Sequence, residues 1–301
     1  MKTTLYRNLS KCFHSKNVLD MRLHAVYGKR TQYSQGVDIS DLPIDDQAVL
    51  YVHWPYCSKR CTYCNFNKYI SRNVDNERMT RCLMKETQTL IECSHVSRIN
   101  SIFFGGGTPS LATPRTIAKV IETVTKTTWL HGNAEVTLEV NPTHLETGKL
   151  RDFRSAGVNR VSIGVQALND SDLKLLGREH DTQDSMRCIE EARNLFPGCV
   201  SIDVIFGRPG QTLGSWISEL QKILAVSDQH ISLYQLTLER GTQLFKWVQN
   251  GLIELPDEDA MADMYLEAVK TLEIHGFKQY EVSNFAKNGA TSDHNTAYWT
   301  I

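Results

Sequence analysis

Tyr51-Val-His-Trp-Pro-Tyr-Cys57-Ser-Lys-Arg-Cys61-Thr-Tyr63-Cys64-Asn-Phe66 is the stretch on which the reading of this 301-residue chain turns. It opens in an apolar run with strand character and closes on three cysteines spaced C-x3-C-x2-C. Thiolates are soft ligands that suit iron–sulfur clusters and zinc. A four-iron cubane usually takes four cysteines. This loop offers three and no fourth nearby, which leaves one iron open to an exchangeable ligand. Structural zinc sites pair two C-x2-C knuckles, or one knuckle with histidines. Cys12, Cys82, Cys93, Cys188 and Cys199 supply no second knuckle, so the spacing favours a cluster. Cys82, Cys93 and Cys188 fall in apolar-periodic stretches and read as small core residues.

Outward from this loop the pattern alternates β and α. Strands are expected at Val49–His53, Ser101–Phe104, Glu135–Val140, Arg160–Val165, Val200–Ile205 and His230–Leu236. Helices are expected between them at Asn76–Glu92, Pro114–Thr127, Leu145–Ser155, Thr182–Asn194 and Leu213–Val226. Strands separated by helices of this length pair in parallel through right-handed crossovers. The fold class is therefore α/β, a partial (βα)6 barrel, with functional groups at the C-terminal strand ends. Beyond Leu236 the alternation stops. Thr237–Gly251 reads as irregular or partly helical, Pro256 opens a helix to about His275, and Lys278–Phe285 reads as one further strand. The expected division is 1–36 as a leader, 37–236 as the barrel with folding from about Asp46, and 237–301 as the start of an α+β extension.

The net charge of −1 gives no support for a nucleic-acid partner, and no apolar run reaches the length of a membrane span. Unpaired cysteines suit a reducing compartment. The first 36 residues hold Lys2, Arg7, Lys11, Lys16, Arg22, Lys29 and Arg30 against Asp20 alone, among hydroxyl residues. Such a segment reads as a mitochondrial transit peptide, with a disordered basic tail as the plainer reading.

Several polar groups fall at strand ends or inside apolar strands. Phe103-Phe104-Gly105-Gly106-Gly107-Thr108-Pro109 gives a glycine-rich turn that permits close backbone approach. Glu139, Gln166 and Asp203 follow or interrupt strands three, four and five, where a carboxylate is costly unless paired or liganded. Each could equally be a buried structural acid. Arg178 offers a fork for a carboxylate, or a surface salt bridge. His294-Asn295-Thr-Ala-Tyr298-Trp299 places an imidazole among aromatics, with a strand-end histidine as the plain alternative.

These segments, with Val161–Gln166, Leu176–His180, Asp203–Gln211 and Glu281–Phe285, make Tyr51–Trp299 resemble the oxygen-independent coproporphyrinogen oxidase group of radical S-adenosylmethionine (SAM) proteins. Within that group the chain is most similar to the HemW-type heme chaperones, in their mitochondrial form. The resemblance implies a 4Fe–4S cluster on Cys57, Cys61 and Cys64, whose open iron chelates SAM. It implies a SAM site of Tyr51, Tyr63, Gly106, Gly107, Thr108, Glu139, Gln166, Arg178 and Asp203. It implies heme, with His294 as candidate ligand and His53 and His180 as weaker ones, and acceptor haemoproteins in the mitochondrial matrix. An electron donor is needed if SAM is cleaved. Two functions follow from the resemblance. One is radical decarboxylation of coproporphyrinogen; the other is heme delivery on the same scaffold. The oxidases carry a further cysteine two positions past the third ligand, where this chain has Phe66, so the chaperone is expected. Arg208 stands where the resemblance predicts an apolar residue. Relatives of this group continue past the position of Ile301, so the extension is expected to be truncated.

Overall fold

The computed structural model describes residues 47–94 and 96–300, together with the backbone of His24–Tyr27. The rest of the expected transit peptide lies outside the described residues. The elements in chain order are β1 (His24–Tyr27), β2 (Gln47–Trp54), β3 (Tyr56–Cys57), β4 (Tyr69–Ile70), α1 (Asn76–Ser94), β5 (Arg98–Gly106), α2 (Pro114–Thr127) and β6 (Trp129–Val140). There follow α3 (His144–Thr147), α4 (Leu150–Ser155), β7 (Arg160–Gln166), α5 (Asp170–Leu175), α6 (Thr182–Leu195), β8 (Val200–Phe206), α7 (Leu213–Val226) and β9 (His230–Gln235). The chain closes with α8 (Gln243–Gln249), α9 (Glu258–Ile274), β10 (Lys278–Glu281), β11 (Asn284–Ala286) and α10 (Asp293–Thr300).

Six strands, β2-β5-β6-β7-β8-β9, run parallel in sequence order. A helical crossover separates each pair, which gives the expected partial (βα)6 barrel. Strand β1 adds antiparallel to β2, and β11 then β10 extend the far edge antiparallel to β9. The helices start where their caps dictate. Thr113, Asp181, Thr212 and Asp257 each accept a hydrogen bond from the first-turn backbone of α2, α6, α7 and α9. Asp181 and Thr212 complete reciprocal capping boxes.

The strands obey a period of two. Ile102, Phe104, Leu138, Val161, Ile163, Val200, Ile202, Val204, Ile231 and Leu233 are buried and belong to one core, which Leu83, Val120, Phe153, Ile189 and Leu220 join from the covering helices. Residues beyond 236 share that core through Met264, Leu272, Phe277 and Phe285. The Trp216 indole donates to the Met264 carbonyl at 3.0 Å, which ties α7 to α9.

Three local expectations are corrected. Leu145–Ser155 is not one helix: the chain breaks at Gly148-Lys149 into α3 and α4. Lys278–Phe285 is a hairpin, because its alternation runs through a tight turn in which Ser283 N–H donates to Glu281 Oε2 at 2.9 Å. His294 lies in the first turn of α10 and not at a strand end.

Candidate functional site

The cysteine loop follows β2 and is pinned on several sides. Tyr69 and Ser71 N–H donate to the carbonyls of Pro55 and Cys57, at 2.7 and 3.0 Å. Gly107 and Thr108 N–H donate to Trp54 and Tyr56 carbonyls, at 2.7 and 3.0 Å. The middle of the loop is held from α5 and α8: Thr62 N–H donates to the Leu176 carbonyl at 3.0 Å, its hydroxyl to Leu175 at 2.8 Å, and Leu244 N–H to the Thr62 carbonyl at 2.8 Å. Lys68 caps the Cys64 carbonyl at 2.8 Å. His53 bridges Tyr51 and the Asn67 carbonyl, at 3.2 and 2.9 Å, and so braces the loop's far end.

Glycines make this fit possible. Gly106 has φ +114°, and a Cβ there would lie 2.6 Å from the His53 ring. At Gly107 a Cβ would strike the loop backbone at Tyr56 O, 2.9 Å away. Gly107 thus serves close contact between two protein segments.

The predicted residues gather at one end and inside the half-barrel. Glu139 accepts from Gly106 N–H at 3.1 Å. Burial, with nearby Asp203, pushes its carboxyl up to about 8, against the smaller pull of that N–H. Asp203 is enclosed by hydroxyls: Ser162 Oγ reaches both oxygens at 2.9 and 2.8 Å, and Ser201 Oγ reaches one at 3.3 Å. Burial raises Asp203 too, despite those hydrogen bonds. Arg178 makes no surface salt bridge. Its Nη2 donates to Asn141 Oδ1 at 2.5 Å and the Gly164 carbonyl at 3.0 Å, its Nη1 lies 3.5 Å from Cys61 Sγ, and its buried Nε has no partner. Tyr63 lies beside it and packs against the small core of Leu176, Ile205, Leu236 and Leu244. Gln166 ends β7 at φ +68°, a left-handed conformation uncommon for a residue with a side chain.

Below this rim the lumen is polar. A cavity of about 40 Å³ is lined by Phe103, Glu139, Arg160, Asp203, His230 and Tyr234 among others. It has room for a few waters. From Asp203 a hydrogen-bonded chain descends through Ser201, His230 Nδ1 at 2.6 Å and Nε2 to the Tyr280 hydroxyl at 2.7 Å. The open side is closed by the segment into α10. Arg160 donates to the Ala290 carbonyl at 3.0 Å, and Ser292 and Asp293 donate to Glu135, each at 3.1 Å. His294 then stacks on Phe103, with ring centroids 4.1 Å apart, near Tyr51 and Tyr298. Its buried Nδ1 has no partner, and burial pushes its pKa down to about 4. His180 instead engages the Val165 carbonyl at 3.2 Å.

Sequence reasoning missed Asn141, Gly164 and Gly177. Asn141 links Arg178 to Thr108, to whose hydroxyl it donates at 3.3 Å. A Cβ on Gly164 would lie 2.9 Å from Gln166 Nε2, and one on Gly177 would lie 3.2 Å from Thr62 N. A glycine inside an otherwise apolar strand was the available signal for the first.

The family model of the radical SAM superfamily matches residues 51–223, more than half of the chain. The chain belongs to the radical SAM superfamily. It is 59% identical over 253 residues to the mitochondrial radical S-adenosyl methionine domain-containing protein 1 of Danio rerio, covering 84% of this chain and 57% of that protein. It is 35% identical over 251 residues to the heme chaperone HemW of Bacillus subtilis, covering 83% and 66%. The chain thus spans between about half and two thirds of the length of these relatives. Its fold is similar to that of coproporphyrinogen III oxidase (HemN) from Escherichia coli, with a TM-score of 0.69, 24% identity, and coverage of 82% of this chain and 56% of that one.

Radical SAM membership implies a 4Fe–4S cluster and SAM. The donor set fits the cluster. Cys57, Cys61 and Cys64 are free thiols on one short loop, close enough for each of the other two to push the Cys57 thiol up, after the larger effect of its burial. Arg178 and Lys68 lie beside them as compensating cations. Among the described residues no three His, Cys, Asp or Glu side chains converge on a single-ion site. Ligands to separate irons of one cluster need no such point. The unpartnered Arg178 Nε and the Glu139 carboxyl suit the carboxylate and amino ends of an amino-acid ligand.

Proposed function

We propose that this protein is a heme chaperone built on a radical SAM scaffold, which holds heme for delivery to haemoproteins in the mitochondrial matrix. The observation that carries this reading is Phe66. It stands two positions past Cys64 and is 68% exposed, so a bulky apolar side chain occupies the place of the additional cysteine expected of a decarboxylating oxidase. The likeness to HemW over 83% of the chain supports the same assignment. The mitochondrial name of the fish relative and the acid-poor basic N-terminus support the compartment.

Cys57, Cys61 and Cys64 would hold the cluster. Tyr51, Tyr63, Gly106, Gly107, Thr108, Glu139, Gln166, Arg178 and Asp203 would line the SAM site, with Asp203 acting through its shell of serines. When bound, the cluster and SAM supply one-electron chemistry that requires a reduced donor. His294 would ligate heme iron. Its imidazole is neutral at physiological pH, and Nδ1 is unsatisfied. Phe103 covers a ring face, which leaves the in-plane approach that a metal takes.

Anaerobic reconstitution with iron and sulfide, followed by parallel heme-binding and SAM-turnover assays, tests the proposal. Stable heme uptake without consumption of coproporphyrinogen is expected. Decarboxylated porphyrinogen with stoichiometric 5′-deoxyadenosine would overturn it in favour of an enzyme.

A further inference from the structure

Arg208 is the most buried charged residue among those described, at 1% exposure. It follows β8 in Phe206-Gly-Arg208-Pro-Gly-Gln211, where the family resemblance predicts an apolar side chain. Its guanidinium donates four hydrogen bonds and makes two ion pairs. Nε donates to Asp172 Oδ2 at 3.1 Å, and Nη2 reaches the same oxygen at 3.0 Å. Nη2 also donates to Glu219, and Nη1 to the carbonyls of Ile205 and Gln166, the latter at 3.4 Å. Glu219 extends the network by accepting from Leu168 N–H at 2.6 Å and from Gln211 Nε2 at 3.2 Å. Gln211 Oε1 in turn accepts from Gly207 and Arg208 N–H, at 2.7 and 3.2 Å.

The groups so joined come from four elements that meet the candidate site. Gln166 and Leu168 form the turn after β7, in which Gln166 holds φ +68°. Ile205 lies near the end of β8, two residues beyond Asp203, and Gly207 opens the turn after it. Asp172 sits on α5, whose last carbonyls receive Thr62 of the cysteine loop and whose C-terminal extension carries Arg178. Glu219 anchors the set to α7. A left-handed residue with a side chain costs about 1–3 kcal/mol and persists only where its surroundings over-determine it. The bond from Arg208 to its own carbonyl and that from the Leu168 amide to Glu219, both on its C-terminal side, supply the constraint.

We propose that Arg208 is a positioning residue: through its ion pairs with Asp172 and Glu219 it fixes the left-handed Gln166 turn, and so the SAM-facing rim of the half-barrel. An apolar residue at 208 would leave these two carboxylates without their cation. The proposal rests on Gln166 facing SAM, as assigned above.

The test uses Arg208→Lys, which keeps the charge but offers three donors in place of a fork. Two quantities are read on the full chain: amide hydrogen exchange at Leu168 without SAM, and the dissociation constant for SAM on the reconstituted cluster. Exchange at Leu168 should rise while core amides of β8 stay protected. SAM should bind about tenfold more weakly, the loss of roughly one charged hydrogen bond, with iron and sulfide content and the thermal midpoint unchanged. Wild-type exchange and wild-type SAM affinity in Arg208→Lys would overturn the proposal, as would a loss of affinity that only tracks a lowered thermal midpoint. If that variant does not fold, Glu219→Gln keeps an acceptor for Leu168 but removes the charge facing Arg208, and the same loss of SAM affinity is expected. Failure of the wild-type protein to bind SAM would sink the reading of the site, while exchange at Leu168 would still decide the role of Arg208.

Discussion

On five of the six parallel strands, β5 to β9, the two faces have opposite chemistry. Outward, Ile102, Leu138, Val161, Val200 and Ile231 are fully buried beneath helices. Inward, one residue away on each strand, stand Ser101, Thr137, Ser162, Ser201 and Ser232, all nearly as buried. A closed eight-stranded barrel fills its interior with branched apolar side chains. Here six parallel strands leave the lumen open, and hydroxyls, Glu139, Asp203 and the segment into α10 occupy it. The contrast assigns two jobs to one alternation. The outer face stabilises the fold, while the inner face spends some of that stability on a polar surface aimed at ligands.

The largest expected effect breaks or upholds this contrast directly. Leu138→Ala removes a side chain with 0% exposure and should cost about 2–5 kcal/mol in chemical denaturation. Thr137→Val, one residue away and 2% exposed, loses a hydrogen bond to Glu135 and should cost about 1 kcal/mol or less. Equal costs at the two positions would mean that the inner face carries the fold as much as the outer one.

This contrast also explains what the sequence disclosed. The apolar half of each strand and the capped helices between them were legible, because period and punctuation are local. Pro114–Thr127 and Leu213–Val226 fall on their expected limits. The cysteine loop was legible because its meaning lies in spacing. The hairpin at Lys278–Ala286 was not, since alternation can run through a two-residue turn. The six-residue helix α5 escaped notice although Asn169 caps it and Asp170 and Asp172 mark its first turn. Arg208 and Asn141 were out of reach for another reason. An arginine in a sequence reads as surface, and only partners as distant as Asp172 and Glu219 make it a buried hub.

The next effect tests what the polar face costs. Burial raises the folded-state pKa of Glu139 from its ordinary 4.5 to about 8, so the native protein holds a proton that the unfolded chain releases. Its contribution to stability is fully present below pH 4.5 and is lost as pH rises through 8. The apoprotein should therefore lose up to a few kcal/mol across that window, less whatever solvent reaches this half-buried carboxyl. Asp203, also raised by burial, adds to the same slope. In Glu139→Gln the slope should flatten and the apoprotein gain stability at pH 8, while SAM binding falls. Urea midpoints measured at pH 5 and pH 8 decide the matter; an unchanged slope in Glu139→Gln would show that its carboxyl is solvated in the free protein.

The smallest effect lies at His294, where the sign is reversed. Burial lowers its pKa from 6.5 to about 4, so the unfolded chain takes up a proton before the native protein does. Stability from this group is present above pH 6.5 and is lost as pH falls through 4. His180 and His230, pushed to about 4 and about 3 mainly by burial, act in the same direction. His294→Phe should lessen the acid slope without abolishing it. At pH 7 the substitution keeps a ring against Phe103 and removes a buried nitrogen that has no partner. A gain of about 1 kcal/mol is the expected result, together with a shifted or weakened heme Soret band. A residue that a ligand needs is then one the empty fold is better without, which is the inner face's bargain reduced to a single side chain. If His294→Phe destabilises the apoprotein instead, Nδ1 is already satisfied by ordered water in the lumen and His294 belongs with the groups that hold the fold.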